Sequence, residues 1–545
     1  MGIEYRIGGP PGTGKTTWLA KEIARAAEAR GPENILVTSF TRAAAAELVG
    51  RDLPIPRENV GTLHALCYRA LDRPTIAETK IAEWNENTPS MFQLSDKGDE
   101  RNLDDPLAEH ACTQNGDEIM RRYQLMRNKL VDKALWPEDV VAFDTRWTDW
   151  KEQTGYEDFT GMLERARDFY GAPGRPQVIC LDECQDCVPL QWSLIRKWAA
   201  ECDMLITAGD DDQLLYDFVG ASPDFMLDPP VPPEQTRTLH QSYRVPRAVL
   251  DLSQRWIKQV KRRWPKEYNA RMEDGQEVMG SVARVDTRWR DGDSALRVID
   301  GALERGHSIM ILASCAYMLG PILASLRRHG LPFFNPYRRA NGSWNPLHAS
   351  RGVSVRERLL AYLRPKSETW GEQARWWTWK DVHAWGGMLK VKDVFKKGGQ
   401  GRLDVLAKDH GDESASIEQL LAEIFEEQAF ERVFEQDLDW LKSNLLAARA
   451  HSAEFPLTIM QNRGSKALLE EPKIIVGTVH SAKGGEAGEV LLFPDLSRQG
   501  LQQWLTGGEG ADAIRRMFYV GFTRTKWNLH LAAPSIGGMA VNWEV

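Results

Sequence analysis

The stretch Gly8-Gly9-Pro10-Pro11-Gly12-Thr13-Gly14-Lys15-Thr16-Thr17 decides the fold. From Gly9 it fits the phosphate-loop pattern G-x-x-x-x-G-K-[ST]. Tyr5-Arg6-Ile7 before it reads as a short strand and Trp18 to Arg30 after it as an Ala-rich helix, the strand–loop–helix setting that the motif requires. Glycine lets the backbone approach an anion closely, so successive N–H groups and the helix N-terminus can cradle phosphates. Gly12, Thr13, Gly14, Lys15, Thr16 and Thr17 are therefore candidate nucleotide-binding residues. Lys15 is expected to neutralise the β/γ-phosphates and the Thr16 hydroxyl to ligate Mg²⁺.

Beyond this motif, 545 residues are too many for one core and imply roughly three or four domains. A hydrophobic fraction of 42% with 27% charged residues is that of an ordinary globular protein. The net charge of −8 argues against a protein that coats nucleic acid uniformly, but leaves room for a local basic groove. No apolar run is long enough to span a bilayer and the start lacks a signal-peptide pattern, so no membrane role is expected. Seven cysteines, an odd number, suit a reducing cytoplasm. Cys180, Cys184 and Cys187 have metal-like spacing, but the first lies in an apparent strand and the second inside an acidic motif, which argues against zinc or iron–sulfur.

Alternating elements continue along the chain. Asn34 to Phe40 reads as a buried parallel strand, with a helix expected from Thr41 to Val49. After an inserted, mostly helical stretch at 72–154, a helix at Phe159–Tyr170 precedes the strand Gln177–Leu181, which ends in Asp182-Glu183-Cys184-Gln185-Asp186. The strand Met204–Ala208 ends in Gly209-Asp210-Asp211-Asp212-Gln213-Leu214-Leu215-Tyr216. Such alternation implies a parallel sheet with ligand at the carboxyl ends of its strands, where each polar cluster falls. Pro229–Pro233 marks a boundary. A second α/β region has strands at Ser308–Ala313, Lys473–Thr478, Glu489–Phe493 and Asn528–Ala532. It is interrupted by a second helical insertion, whose Trp376, Trp377, Trp379 and Trp385 are expected in its core.

Asp182 and Glu183 at a strand end complete a nucleotide-hydrolysis pattern: one carboxylate holds Mg²⁺, the next activates water. The Gln213 amide can orient water or sense the γ-phosphate. Arg244 and Arg524 are candidate arginine fingers, since a guanidinium fork that cannot deprotonate suits charge building on the γ-phosphate.

The order of these motifs resembles that of the superfamily 1 helicases of the UvrD/Rep type. Gly-Pro-Pro-Gly-Thr-Gly-Lys-Thr from Gly9 is similar to motif I, Thr38-Ser39-Phe40-Thr41-Arg42-Ala43-Ala44 to motif Ia, and Gly61-Thr62-Leu63-His64 to Ib. Asp182 to Asp186 resembles the DExxD form of motif II, Gly209 to Tyr216 motif III, and Gln241-Ser242-Tyr243-Arg244 motif IV. Val476 to Gly484 resembles motif V and Tyr519 to Thr525 motif VI.

The resemblance implies an α/β fold with two RecA-like P-loop motor domains, each with a mainly helical insertion. These would be a first domain at 1–71 and 155–235, its insertion at 72–154, a second domain at 236–334 and 456–545, and its insertion at 335–455. It implies ATP bound with Mg²⁺ held by Thr16 and Asp182. Lys15, Glu183, Gln213, Arg244 and Arg524 would act in catalysis, Tyr243 would stack on adenine and Glu486 would meet the sugar. Single-stranded DNA would run over Phe40, Thr41, Arg42, Thr62, His64, Tyr216, Phe218, Thr478 and His480, with duplex junctions as substrates. Four features depart from the family pattern. The Gln motif before motif I is missing, Thr17 stands where an Arg is usual, motif III has Phe218-Val219 before Gly220-Ala221 where Trp-Arg or Phe-Arg is usual, and Lys483-Gly484-Gly485-Glu486-Ala487 lacks the usual Leu and large aromatic. The expected function is a cytoplasmic, ATP-dependent DNA helicase moving 3′-to-5′. The alternatives are an ATP-binding DNA-binding protein without motor activity, and an RNA helicase.

Overall fold

The computed structural model describes residues 2–40, 45, 48, 50–95, 114–337, 344–349 and 352–543. Strand β1 (Ile3–Gly8) leads into the phosphate loop, and β2 (Ile35–Ser39), β3 (Val60–Thr62), β4 (Val178–Asp182), β5 (Met204–Gly209) and β6 (Thr236–Thr238) join it in one sheet. The order is β3-β2-β4-β5-β1-β6, and every neighbouring pair is parallel. Strands β2 and β4 are buried along their whole length, as expected of a sheet covered on both faces by crossover helices. The helix Lys15–Arg30 packs Leu19, Ile23 and Ala27 against Ile7, Val37, Cys180 and Ile206.

Register positions the chemistry. Gly8 of β1 is aligned with Gly209 of β5, and Ser39 of β2 with both Thr62 of β3 and Asp182 of β4. The carboxyl ends of five strands therefore stop together, and the loop after each strand is delivered to the same edge.

One element differs from the sequence expectation in extent. The helix after the phosphate loop begins at Lys15 rather than Trp18, because the left-handed Gly14 (φ 77°) turns the chain directly into it. Strand β3 is short because Thr62 caps the helix Leu63–Ala70, its hydroxyl accepting from the Ala65 N–H at 3.2 Å. The helix expected at 41–49 falls mostly outside the described residues, as do Thr41 and Arg42.

After the small hairpin β7 (Met272–Glu273) and β8 (Gln276–Glu277) come β9 (Ser281–Val285), β10 (Ile309–Ala313), β11 (Phe333–Phe334), β12 (Ile474–Thr478), β13 (Ala487–Leu492) and β14 (Thr525–Ala532). These last six form a second sheet ordered β11-β12-β10-β13-β14-β9, with β11–β12, β13–β14 and β14–β9 all parallel.

The chain divides into two compact units. One comprises residues 1–286, 312–317 and 478–545; the other comprises 287–311 and 318–477. Within the first, the described part of 72–154 forms a helical subdomain around Trp84, Tyr123, Trp136, Phe143 and Trp147. It is tied to the helix Phe159–Phe169 by buried Asp158, which accepts two bonds from Arg127 at 3.0 Å and one from Trp147 Nε1 at 2.9 Å. In the second unit Trp377, Trp379 and Trp385 are buried, Trp385 stacking on Phe425 at 5.5 Å. Trp376 is only half-buried, its Nε1 donating to the Ala415 carbonyl at 2.8 Å. Among the described residues no helix is long and apolar enough to cross a membrane.

Candidate nucleotide and nucleic-acid site

The first unit carries every candidate side chain that is described. Gly12 and Gly14 both have positive φ (73° and 77°), which only glycine adopts without cost. The segment Ser242–Arg244 presses on this loop. Tyr243 N–H donates to the Gly12 carbonyl at 2.8 Å, Tyr268 Oη donates to the Pro11 carbonyl at 2.7 Å, and a Cβ at Gly12 would come within 2.7 Å of Arg244 Cβ. Lys15 is buried and its ammonium donates to the Gly9 carbonyl at 2.8 Å, while the Thr13 hydroxyl donates to Pro10. Thr17 accepts from Arg51 at 3.0 Å. The Tyr243 ring is 71% exposed and lies over Gly14, 3.7 Å from where a Cβ there would stand.

Thr16 Oγ1 donates to Asp182 Oδ2 at 3.0 Å. Burial, reinforced by the neighbouring Glu183, pushes Asp182 up to about 7. Glu183 adopts a left-handed φ of 52°, a costly conformation for a residue with a side chain. Burial would raise Glu183, but Lys483 and Lys15 outweigh it and hold it below the usual carboxylate range. Gln185 Nε2 donates to Glu183 at 2.5 Å. Lys483 lies 3.8 Å from Glu183, pairs with Asp186 and donates to the Gln213 carbonyl at 2.9 Å. Asp186, dominated by burial, is pushed up to about 6.

Gln213 is gripped at both ends. Its Nε2 donates to Asp210 at 2.8 Å and its Oε1 accepts from Arg524 Nη2 at 2.9 Å. Arg524 is 1% exposed and also donates to the Val520 carbonyl at 3.0 Å and the Gly485 carbonyl at 3.3 Å. Arg244 instead donates to Glu486 at 2.8 Å, and Lys526 pairs with the same carboxylate. Burial would raise Glu486, yet these cations hold it low.

Four of the candidate nucleic-acid residues form a row of rings. Phe40 and Tyr216 have centroids 4.9 Å apart, Tyr216 and Phe218 6.0 Å, and Phe218 and His480 6.0 Å. Phe40 and Phe218 are partly exposed, whereas Tyr216 and His480 are buried. Burial, with Lys483 nearby, lowers His480 to about 4. His64 stands 6.1 Å from Phe159, and Thr62 is committed to its capping bond. Thr478 is fully buried and its hydroxyl accepts from the Ser481 N–H at 3.2 Å.

A family model described as an AAA domain matches residues 5–219. DNA helicase II of Escherichia coli strain K12 is 26% identical over 332 residues, covering 52% of this chain and 44% of that protein. YjcD of Bacillus subtilis is 27% identical over 291 residues (49% and 38%), and the ATP-dependent DNA helicase PcrA of Staphylococcus aureus 25% over 284 residues (47% and 38%). Over about half its length the chain is similar to these DNA helicases. It spans less than half the length of these relatives.

The AAA match takes in the phosphate loop, Asp182, Glu183 and Gln213. Lys483, Asp186, Gln185, Tyr268, Arg263 and Lys266 were not singled out from sequence. Gln185, Asp186 and Lys483 stood inside recognised motifs. Arg263 and Lys266 lie in Arg262-Arg263-Trp264-Pro265-Lys266, a basic run that reads as solvated surface. Cys180, Cys184 and Cys187 are buried and burial pushes their thiols up. Among the described residues, the metal-capable side chains that converge in a group are Asp210, Asp211 and Asp212.

Proposed function

We propose that this chain hydrolyses ATP to move along single-stranded DNA and separate duplex strands, probing junctions in the 3′-to-5′ direction. The reading rests above all on one contact: Arg524, brought by the helix Gly508–Phe522, meets Gln213 at the phosphate-loop edge of the first sheet. A buried guanidinium on a γ-phosphate-sensing amide has a clear use in phosphoryl transfer and little in passive nucleotide storage. In this reading residues 1–71 and 155–235 form the first motor domain with 72–154 inserted. Residues 236–334 and 456–545 form the second with 335–455 inserted. The protein works in the cytoplasm.

The chain's own groups divide the labour. The loop amides and Lys15 hold the phosphates, Glu183 accepts the proton of the attacking water, Gln213 orients that water, and Arg524 and Arg244 offset the charge that builds. Thr16 and Asp182 fit a magnesium ion, since a hydroxyl and a buried carboxylate that desolvation has raised face each other at 3.0 Å. When bound, such an ion neutralises phosphate charge. The exposed Tyr243 offers a face to the base, and the ring row from Phe40 to His480 offers stacking for a strand without choosing its sequence.

The test is ATP turnover with and without single-stranded DNA, followed by unwinding of duplexes carrying only a 3′ or only a 5′ tail, with Lys15→Ala as the inactive control. DNA-stimulated turnover and opening of the 3′-tailed duplex are expected. Turnover indifferent to DNA would reject the motor, and full turnover by Lys15→Ala would reject the site.

A further inference from the structure

We propose that Lys266 is a positioning residue for Gln213, acting through the acidic triplet Asp210-Asp211-Asp212; this rests on the ATPase reading above. All three carboxylates are buried at the end of β5. Three buried acids that close together cannot persist without compensation. The compensation comes from the segment Arg263–Lys266. The Lys266 side chain is 1% exposed, and its ammonium lies 2.7 Å from Asp210 and 3.0 Å from Asp212, and pairs with Asp211. Arg263 grips Asp212 through Nε at 2.9 Å and Nη2 at 2.5 Å. The Trp264 N–H donates to Asp211 at 2.8 Å. Burial alone would lower the Lys266 ammonium, but the carboxylates override it and hold it well above its ordinary range. A set of acids that looks like a cation site thus already contains its cation.

The consequence falls on Gln213. Asp210 is shared: Oδ1 takes the Lys266 ammonium and Oδ2 takes Gln213 Nε2. An amide has one donor end and one acceptor end. With the donor end committed to Asp210, the acceptor end must face Arg524, where it is found. The flipped amide would set NH₂ against guanidinium and carbonyl against carboxylate, so both contacts would turn repulsive. Lys266 holds the Asp210 carboxylate in place, and by that route fixes which end of Gln213 meets Arg524. A lysine three side chains away from the γ-phosphate side therefore bears on the reaction without touching it.

A lysine that only balances charge would lower stability and leave the Gln213 step alone. A double-mutant cycle on the full chain distinguishes the two. Lys266→Met should lower kcat for DNA-stimulated ATP turnover roughly 10- to 100-fold, the scale of a misplaced catalytic group. The KM for ATP should stay within about threefold, because phosphate binding is left intact. In a Gln213→Ala background the same change should cost almost nothing further, and Lys266→Arg should restore most of the rate. Should Lys266→Met fail to fold, Lys266→Met with Asp211→Asn removes one acid together with the ammonium and enters the same cycle. Equal losses from Lys266→Met with and without Gln213 would overturn the inference while leaving the ATPase reading standing. A parent chain without ATP turnover would overturn both.

Discussion

Arg524 lets charge and shape be separated. Its guanidinium is fully buried and spends its fork on Gln213 Oε1 at 2.9 Å, the Val520 carbonyl at 3.0 Å and the Gly485 carbonyl at 3.3 Å. Its desolvation is met in the folded chain, so no reorganisation is required when charge builds on the transferring phosphate. A unit charge about 4 Å from that oxygen, at an effective dielectric of 20, is worth roughly 4 kcal/mol. At about 1.4 kcal/mol per decade this is close to three powers of ten in kcat. Arg524→Ala should therefore lower kcat about 10³-fold. It also strips the donor from two backbone carbonyls and from Gln213, a stability loss of about 1–3 kcal/mol for each group left buried and unpaired. Arg524→Lys keeps the charge but not the fork, so it should recover one to two of those decades. The assay is steady-state turnover at saturating ATP and single-stranded DNA, beside titration of a non-hydrolysable ATP analogue, whose affinity should move less than about tenfold. A folded Arg524→Ala protein turning over within tenfold of the parent would refute the argument, and equal rates for the alanine and lysine variants would refute its electrostatic part.

Asp182 predicts a pH response of the metal-free protein that bound Mg²⁺ and nucleotide remove. Its folded pKa of about 7 exceeds its ordinary 3.8, so its contribution to stability is whole below pH 4 and lost as pH rises through 7; the metal-free parent should lose melting temperature across that window relative to Asp182→Asn, and Mg²⁺ with nucleotide should erase the difference at pH 8. His480 has the reverse sign: its folded pKa of about 4 lies below 6.5, so its share is present above 6.5 and lost as pH falls through 4, and His480→Gln should flatten the acid limb of the same melting curve. Phe218→Ala removes a partly exposed ring from the row between Tyr216 and His480, and should weaken single-strand binding by about 1–3 kcal/mol while sparing nucleotide affinity; unchanged DNA affinity by anisotropy would take Phe218 off the track.

Much of the fold was legible because each element carried a local mark. Strands β2, β4 and β5 are unbroken apolar runs ending in polar clusters, and their observed bounds lie within a residue or so of the expected ones. A bound slipped where a single residue overrode the pattern: Gly14 starts its helix three residues early. Pro456, where the second insertion was expected to end, sits inside the helix Ala447–Arg463, its neighbours on one face packed in the core. Proline is costly within a helix, but tertiary packing can outweigh a local penalty of about 3 kcal/mol.

The candidate site divides along the same line. Lys15, Thr16, Asp182, Glu183 and Gln213 were readable because phosphate chemistry demands particular groups at fixed distances from strand ends. Their partners were not. Lys483 reaches Asp186 across 297 positions of sequence and Lys266 reaches Asp210 across 56, and neither spacing has any local meaning. The sequence did hold half of the second answer. Three consecutive aspartates directly after a fully buried strand end cannot all stay charged without a cation beside them, so some lysine, arginine or metal had to be there. What spacing could not supply was which one. That depends on β6 pairing beside β1, since the chain leaving β6 returns over the carboxyl edge and carries Arg263 and Lys266 onto the triplet. The acidic side of the contact is written locally and the basic side is written in the topology, which is why only the former could be read without coordinates.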